Sequence, residues 1–525
     1  MENLRQKLKL FNYRPLVLVF LGLILGILVA NFILHQTAIT IIGIVILVGV
    51  TLSYSILHKK LKYFIILGIT FALGFGCYTF YINTREYKTH DMIDKTAVGT
   101  IVSIKNYGSS LGLLLDDVEV EGEALGYNAY LYYYNTYQDG YIKLEVGDKI
   151  NFNIEKQSKI DQFDEEGIPH TYNLKNDIGT EFTTYEVILL DSKTSARTSF
   201  LDKIRENLSN GLNNLNGEMI YSAMFGDKAE LNRDLYDAYK TSGVAHLLAV
   251  SGLHVGLVVA ILNWLMKKMR VKGWWRVAII APLLFAYAYL CGFSYSIIRA
   301  SIMALVLMIA PLLFSEYDLL SSICFAGSLI LLIEPIALFD VGALLSFACV
   351  LGIAMLSPIF KKWFRKIPIK DSIKDSFGIS LATVISTLTI TTYFFGYIQP
   401  IGLISNIIII PIFGVLFTIT FVVAILSLLL PFVSYLLILI NPLFEWLNWA
   451  IMFIANHAKS IAMPNINFLT ILLFFVLLAF ASKFNLKKGM DKLAIVGICS
   501  CILAIQVALV WYENMKVLSR SNAIY

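Results

Sequence analysis

Two histidines, a serine and an arginine are the residues of this sequence best suited to chemistry. His246, Ser251 and His254 fall within His246-Leu-Leu-Ala-Val-Ser-Gly-Leu-His-Val-Gly256, which opens a long apolar run. On a helix turning about 100° per residue, Ser251 lies about 140° and His254 about 80° around from His246, so all three are expected on one side. Polar side chains at membrane depth are expensive and mark functional positions. Three chemistries fit them. Ser251 and His254 suit a nucleophile and its base, although no acidic residue stands nearby in sequence to orient the histidine. His246 and His254 suit metal ligation, but the spacing supplies no third or fourth ligand. The favoured reading is a polar conduit whose side chains hydrogen-bond across helices. Arg299, within Gly292-Phe-Ser-Tyr-Ser-Ile-Ile-Arg-Ala-Ser301, sits near the outer third of another apolar run. It is placed either to meet phosphates or to snorkel to the interface. Gly252 and Gly256 form a small-xxx-small pair suited to close helix packing. Glu334, Asp340, Asn406 and His457 fall near span ends and read as satisfied interface residues. No catalytic residue, metal or cofactor is assigned, and no Gly-x-x-x-x-Gly-Lys-Ser/Thr nucleotide loop occurs.

The elements that must hold these residues are membrane helices. Of 525 residues, 57% are apolar and only 15% charged, with a mean hydropathy of +0.70. That balance excludes an ordinary soluble enzyme and a disordered chain. A transmembrane helix needs about 20 apolar residues. Such runs occupy roughly 15–34, 37–57 and 63–82, and about ten more fall between 244 and 511. The span at 401–428 carries Pro411 and is expected to be broken or re-entrant if any span is. Basic clusters stand at Arg5–Arg14, Lys59–Lys62, Lys267–Arg276, Lys361–Lys374 and Lys483–Lys492. With the N-terminus inside and about 13 spans, every cluster lands on the cytoplasmic side. Residues 83–241 and the C-terminus then lie outside.

The net charge of +5 divides sharply. Residues 83–200 hold 20 acidic and 11 basic side chains, a net of −9, leaving +14 for the remainder. The charge therefore reports orientation rather than affinity for a polyanion. Residues 97–190 alternate polar and apolar at period two between turn signals, which predicts five or six strands in a small β-barrel. Tyr130, Tyr132 and Tyr134 are expected to share one strand face. Exposed there, each would stack on a single-stranded base for about 1–3 kcal/mol. The alternative is a half-buried strand, since Tyr favours strands, and the acidic charge favours that alternative. Phe200, Leu201, Ile204, Leu208, Leu212 and Leu215 recur at helical spacing and predict amphipathic helices on the outer membrane surface or over the bundle mouth.

The run from His246 to Gly256 resembles the signature of the ComEC competence proteins, inner-membrane channels for DNA uptake. Ala223–Leu231, Ser294–Met303, Glu334–Ala348 and Ile401–Pro411 resemble further blocks of that family, in order. The resemblance implies five parts. Residues 1–82 would be three membrane helices and 83–195 an extracytoplasmic OB-like domain. Residues 196–241 would be the amphipathic segment, 242–512 the competence-type bundle and 513–525 a tail. It implies a multi-pass protein of a bacterial cytoplasmic membrane that takes up single-stranded DNA during natural transformation. It also implies a cytoplasmic ATPase motor and a DNA receptor as partners. Long members carry a metallo-β-lactamase-like domain thought to degrade the other strand. No His-x-His-x-Asp-His motif occurs here, so the expectation is a channel without its own nuclease, served by a separate one. An intramembrane Ser/His hydrolase and a polar-solute transporter on the same fold are the alternatives.

Overall fold

The computed structural model describes residues 14–34, 61–85, 87, 91–107, 110–134, 144–164, 167–192, 196–228, 230–364 and 370–463, and beyond these 466, 470, 471, 474 and 475. The span expected at 37–57 and those beyond 475 lie outside these residues, as do Cys499 and Cys501. Two apolar helices lead, α1 (Pro15–Leu34) and α2 (Leu61–Asn83). A sheet follows: β1 (Thr96–Asn106), β2 (Leu111–Val120), β3 (Glu123–Ala124), β4 (Asn128–Tyr133), β5 (Asp148–Asn153), β6 (Lys156–Lys159), the short helix α3 (Thr171–Lys175), β7 (Ile178–Thr184) and β8 (Val187–Ser192). Helices follow, with one short antiparallel pairing of Tyr397–Ile398 and Ile461–Ala462 beside them. They are α4 (Ala196–Ser209), α5 (Asn214–Phe225), α6 (Arg233–Thr241), α7 (Gly252–Lys268), α8 (Gly273–Leu290), α9 (Tyr295–Ile309), α10 (Leu319–Ile333), α11 (Val341–Phe364), α12 (Asp371–Phe395), α13 (Gly402–Ser427) and α14 (Asn441–His457).

Seven described helices are long and apolar enough to cross a membrane: α1, α2, α8, α9 with the 3-10 turn that carries it to Leu313, α11, α12 and α13. The 3-10 stretch Pro431–Leu439 and α14, bent by 48°, make an eighth if the pair is one span. The protein is thus a multi-pass membrane protein. At 1.5 Å per residue, the 17 residues of α7 and the 15 of α10 fall short of a hydrocarbon core of about 30 Å. Pro411 does not break its helix: α13 is continuous from Gly402 to Ser427. The interruption falls instead at Ile440, between the 3-10 stretch and α14.

The β region differs from the expected closed barrel. Its eight strands form an open sheet of order β6-β7-β4-β2-β1-β5-β8, with β3 beside β2. All pairs are antiparallel except β4 with β7. Register shifts at Val98/Thr100 and Ile101/Ser103 let the long β1 coil. The sheet therefore curls until Phe152 on β5 meets Phe182 on β7, ring centroids 6.1 Å apart, although the two strands are not neighbours. It encloses Ile101, Leu113, Leu115, Leu131 and Ile150 without pairing its edges.

This region is fastened to the leading helices. The Asn31 amide donates to the Gly167 carbonyl (3.0 Å) and accepts from the Tyr78 hydroxyl. Arg85 and Tyr81 both donate to the Leu174 carbonyl at the end of α3. Helices α4 to α6 lie over the bundle rather than apart from it. Leu201, Ile204, Leu208, Met219 and Tyr239 share one core with Phe413, Phe417, Phe444 and Leu447. A buried polar chain locks them there. Tyr239 donates to Asn448 (2.9 Å), Asn448 to Asn216 (2.7 Å), and Asn216 to Asn441 (2.8 Å). Asn448→Ala leaves the Tyr239 hydroxyl only the Met219 sulfur and strands the Asn216 side-chain oxygen. We expect a loss of about 1–3 kcal/mol, read as a lower melting temperature of the detergent-solubilised protein.

Candidate functional site

The histidine motif is positioned by the overlying helices. At Gly243 the backbone turns with φ +79°, and an added Cβ would fall 2.6 Å from the Gly402 Cα, so only glycine fits. The chain then enters a 3-10 turn, Ala245–Leu248, whose Leu247 and Leu248 are buried. Ser222 on α5 donates to the Leu248 carbonyl (3.1 Å), fixing the turn against the bundle. Ala249 and Ser251 are extended, and α7 starts at Gly252.

The expected single helical side is therefore not what forms. His246 is exposed on the 3-10 turn, outside the helix. Ser251 is the N-cap of α7, and His254 closes a capping box with it. The Ser251 hydroxyl accepts from the Leu253 N–H (3.3 Å), and His254 Nδ1 accepts from the Ser251 N–H (3.2 Å). Serine favours that position because its oxygen satisfies first-turn donors, and His254 takes the place usually held by Glu or Gln. The Ser-x-x-His spacing was the available signal for a cap.

This arrangement separates Ser251 from His254 chemically. A neutral imidazole that accepts at Nδ1 carries its proton on Nε2. His254 therefore offers its lone pair to backbone, not to the Ser251 hydroxyl, and the nucleophile–base pair does not form. The ring is fully buried and stacks on Phe417, centroids 4.2 Å apart. Its Nε2 has no hydrogen-bond partner among the described residues. Among those residues, no group of three or more His, Cys, Asp or Glu side chains is placed to hold a metal ion.

Arg299 comes to the same turn. It lies in the second turn of α9 and is only 5% exposed, so it does not snorkel. A Cβ built on Gly252 would stand 2.8 Å from an Arg299 terminal nitrogen. The guanidinium thus rests against the N-terminus of α7. Its neighbours are soft: the Met303 sulfur at 3.7 Å and the Phe347 ring, 5.9 Å from the guanidinium carbon. Its Nε is buried without a partner, and it has no ion pair among the described residues. Gly256, one turn further on, meets nothing within 4 Å of a built Cβ.

The tyrosines of β4 divide by depth. Tyr130 is buried against Leu114, Ile160 and Ile178, Tyr132 is half-buried, and Tyr134 is exposed. Two tyrosines that strand parity did not bring forward join them. The Tyr107 hydroxyl lies 3.1 Å from that of Tyr130, and the Tyr172 ring is 6.4 Å from it. Lys105 Nζ sits 3.8 Å over Tyr172. Tyr172 also lines a cleft of about 680 Å³ with His170, Phe339, Tyr393 and Phe394, between the sheet region and the bundle.

A family model described as "Competence protein" matches residues 223–487, half of the chain, and so includes the capped turn and Arg299. The chain is 30% identical over 195 residues to ComE operon protein 3 of Bacillus subtilis, covering 37% of this chain and 24% of that one. It is 32% identical over 138 residues to competence protein ComA of Neisseria gonorrhoeae, covering 24% and 19%. It is 27% identical over 198 residues to recombination protein 2 of Haemophilus influenzae, covering 36% and 24%. The matches span about a quarter or less of the length of these relatives. No solved structure matches the chain.

The cap and the packed ring make His254 a stabilising residue. His254→Ala is expected to cost roughly 2–4 kcal/mol, and Ser251→Ala about 1 kcal/mol, in denaturant unfolding of the purified protein. Equal, negligible losses would contradict the cap.

Proposed function

The chain belongs to the competence protein family, and on that ground we propose that it passes a single DNA strand across the cytoplasmic membrane of a bacterium during transformation. One observation carries this reading: a buried, unpaired arginine stands at a helix N-terminus inside a membrane bundle. A bundle that only had to be stable would avoid such a group, because an uncompensated charge there costs several kcal/mol. A polyanion crossing the bilayer needs that kind of positive, protein-lined surface.

In this reading Arg299 and Ser251 form the polar side of the path. His246 stands exposed at the turn before it, and His254 holds the turn in place. Gly252 admits the arginine. The N-terminus is cytoplasmic, and the sheet region is an OB-like domain outside the cell. Its Tyr132, Tyr134, Tyr107 and Tyr172 offer rings for base stacking, with Tyr130 supporting them from beneath. The cleft beside Tyr172 then lies between that surface and the helices. Energy for transport comes from a cytoplasmic ATPase motor. A DNA receptor and a separate nuclease deliver the strand.

Labelled DNA offered to competent cells provides the test. Deleting the gene should abolish nuclease-protected intracellular label while surface-bound label persists. Unchanged internal label would contradict the proposal. His246→Ala should lower uptake without reducing the amount of folded protein, because its side chain is exposed and packs into no core.

A further inference from the structure

We propose that Arg299 and the first turn of α7 form a seat for one phosphodiester group of a single strand. Resting on the uptake reading, this names the atoms that hold the strand. The geometry has three independent parts. The guanidinium is nineteen-twentieths buried, yet no carboxylate pairs with it among the described residues. Its terminal nitrogen is aimed at Gly252, the first residue of a 17-residue helix. The Ser251 hydroxyl accepts from the Leu253 N–H, whereas the Gly252 N–H has no hydrogen-bond partner among the described residues.

A helix N-terminus and a cation repel when left together, since both are positive. An oxyanion that meets both reverses the sign of both interactions. It receives charge-assisted hydrogen bonds from the guanidinium and a backbone N–H, the donor set that phosphate oxygens accept elsewhere. The glycine is part of the seat. Any side chain at position 252 would push the guanidinium away, whereas position 256 has room to spare. The soft walls, the Met303 sulfur and the Phe347 ring, offer the guanidinium no formal negative charge. A strand could therefore bind there and leave again, one phosphate at a time.

The test uses the purified full chain in a maltoside detergent and a fluorescent oligothymidylate, with binding followed against salt. Arg299→Gln should weaken binding roughly 10- to 100-fold. It should also flatten the slope of log affinity against log salt by about 0.7, the share of one phosphate contact on a single strand. Gly252→Ala should weaken binding in the same direction, and Gly256→Ala should leave it unchanged. An uncharged methylphosphonate oligomer should bind wild type and Arg299→Gln alike. Because Arg299 has no ion pair to lose, Arg299→Gln should melt no lower than wild type. A structural arginine would lower the melting temperature instead. Wild-type binding with an Arg299→Gln slope unchanged would overturn the seat and leave the uptake reading standing. No oligonucleotide binding by wild type would overturn both. Loss of co-purified phospholipid from Arg299→Gln, with oligonucleotide binding intact, would assign the site to a lipid phosphate and overturn the proposal.

Discussion

A guanidinium held inside a membrane bundle, with no carboxylate paired to it among the described residues, is the constraint to which the rest of this structure answers. Desolvating a charge costs several kcal/mol, and proteins normally offset it with a partner. Here the partner positions are filled by a methionine sulfur, a phenyl ring and the positive end of a helix. The protein therefore holds Arg299 by force of packing. That packing comes from Gly252 on α7, Met303 on α9 and Phe347 on α11.

Each layer of the fold contributes to that enforcement. The Asn441–Asn216–Asn448–Tyr239 chain ties the covering helices to α14. Ser222 on one of those helices grips the 3-10 turn that precedes the cap. The cap in turn fixes where α7 begins, and so where its first N–H groups point. Arg14 grips Asp318 with two hydrogen bonds of 2.7 and 2.8 Å and joins the start of α1 to the start of α10. The sheet region is held against α2 through Tyr81 and Arg85. A strand passing from the sheet region to the bundle would thus cross a junction with little freedom to open, apart from the cleft beside Tyr172.

Much of this was legible in the residues. The apolar runs located the described membrane helices, but of the four crossings expected between the Lys267 and Lys361 clusters, α8, α9 and α11 are long enough to span and α10 is short. The period-two segments located the strands. What failed was geometry that depends on contacts far apart in sequence. Helical spacing placed His246, Ser251 and His254 on one side, but Ser251 is a cap and the helix begins after it. Strand parity placed Tyr130 with Tyr132 and Tyr134, but Ile160 and Ile178, from later in the chain, cover Tyr130. A local pattern cannot tell an open sheet from a closed barrel, since closure depends on whether β6 and β8 meet. Pro411 illustrates the same limit: α13 runs on through it, with Ile409 and Phe413 buried on either side in sequence. Gly252 was singled out for helix packing; that its neighbour is a guanidinium required α9 to be in place.

The most direct test of the account is a disulfide trap at the cap. A Ser251→Cys protein would be expressed in cells taking up a single-stranded oligonucleotide with a thiol-reactive group on one phosphate. Cross-linking above the wild-type cysteine background is expected at position 251, and it should fall when Arg299→Gln is added. Normal uptake with no cross-link at position 251 would contradict the account, because the strand would then be crossing the membrane somewhere else.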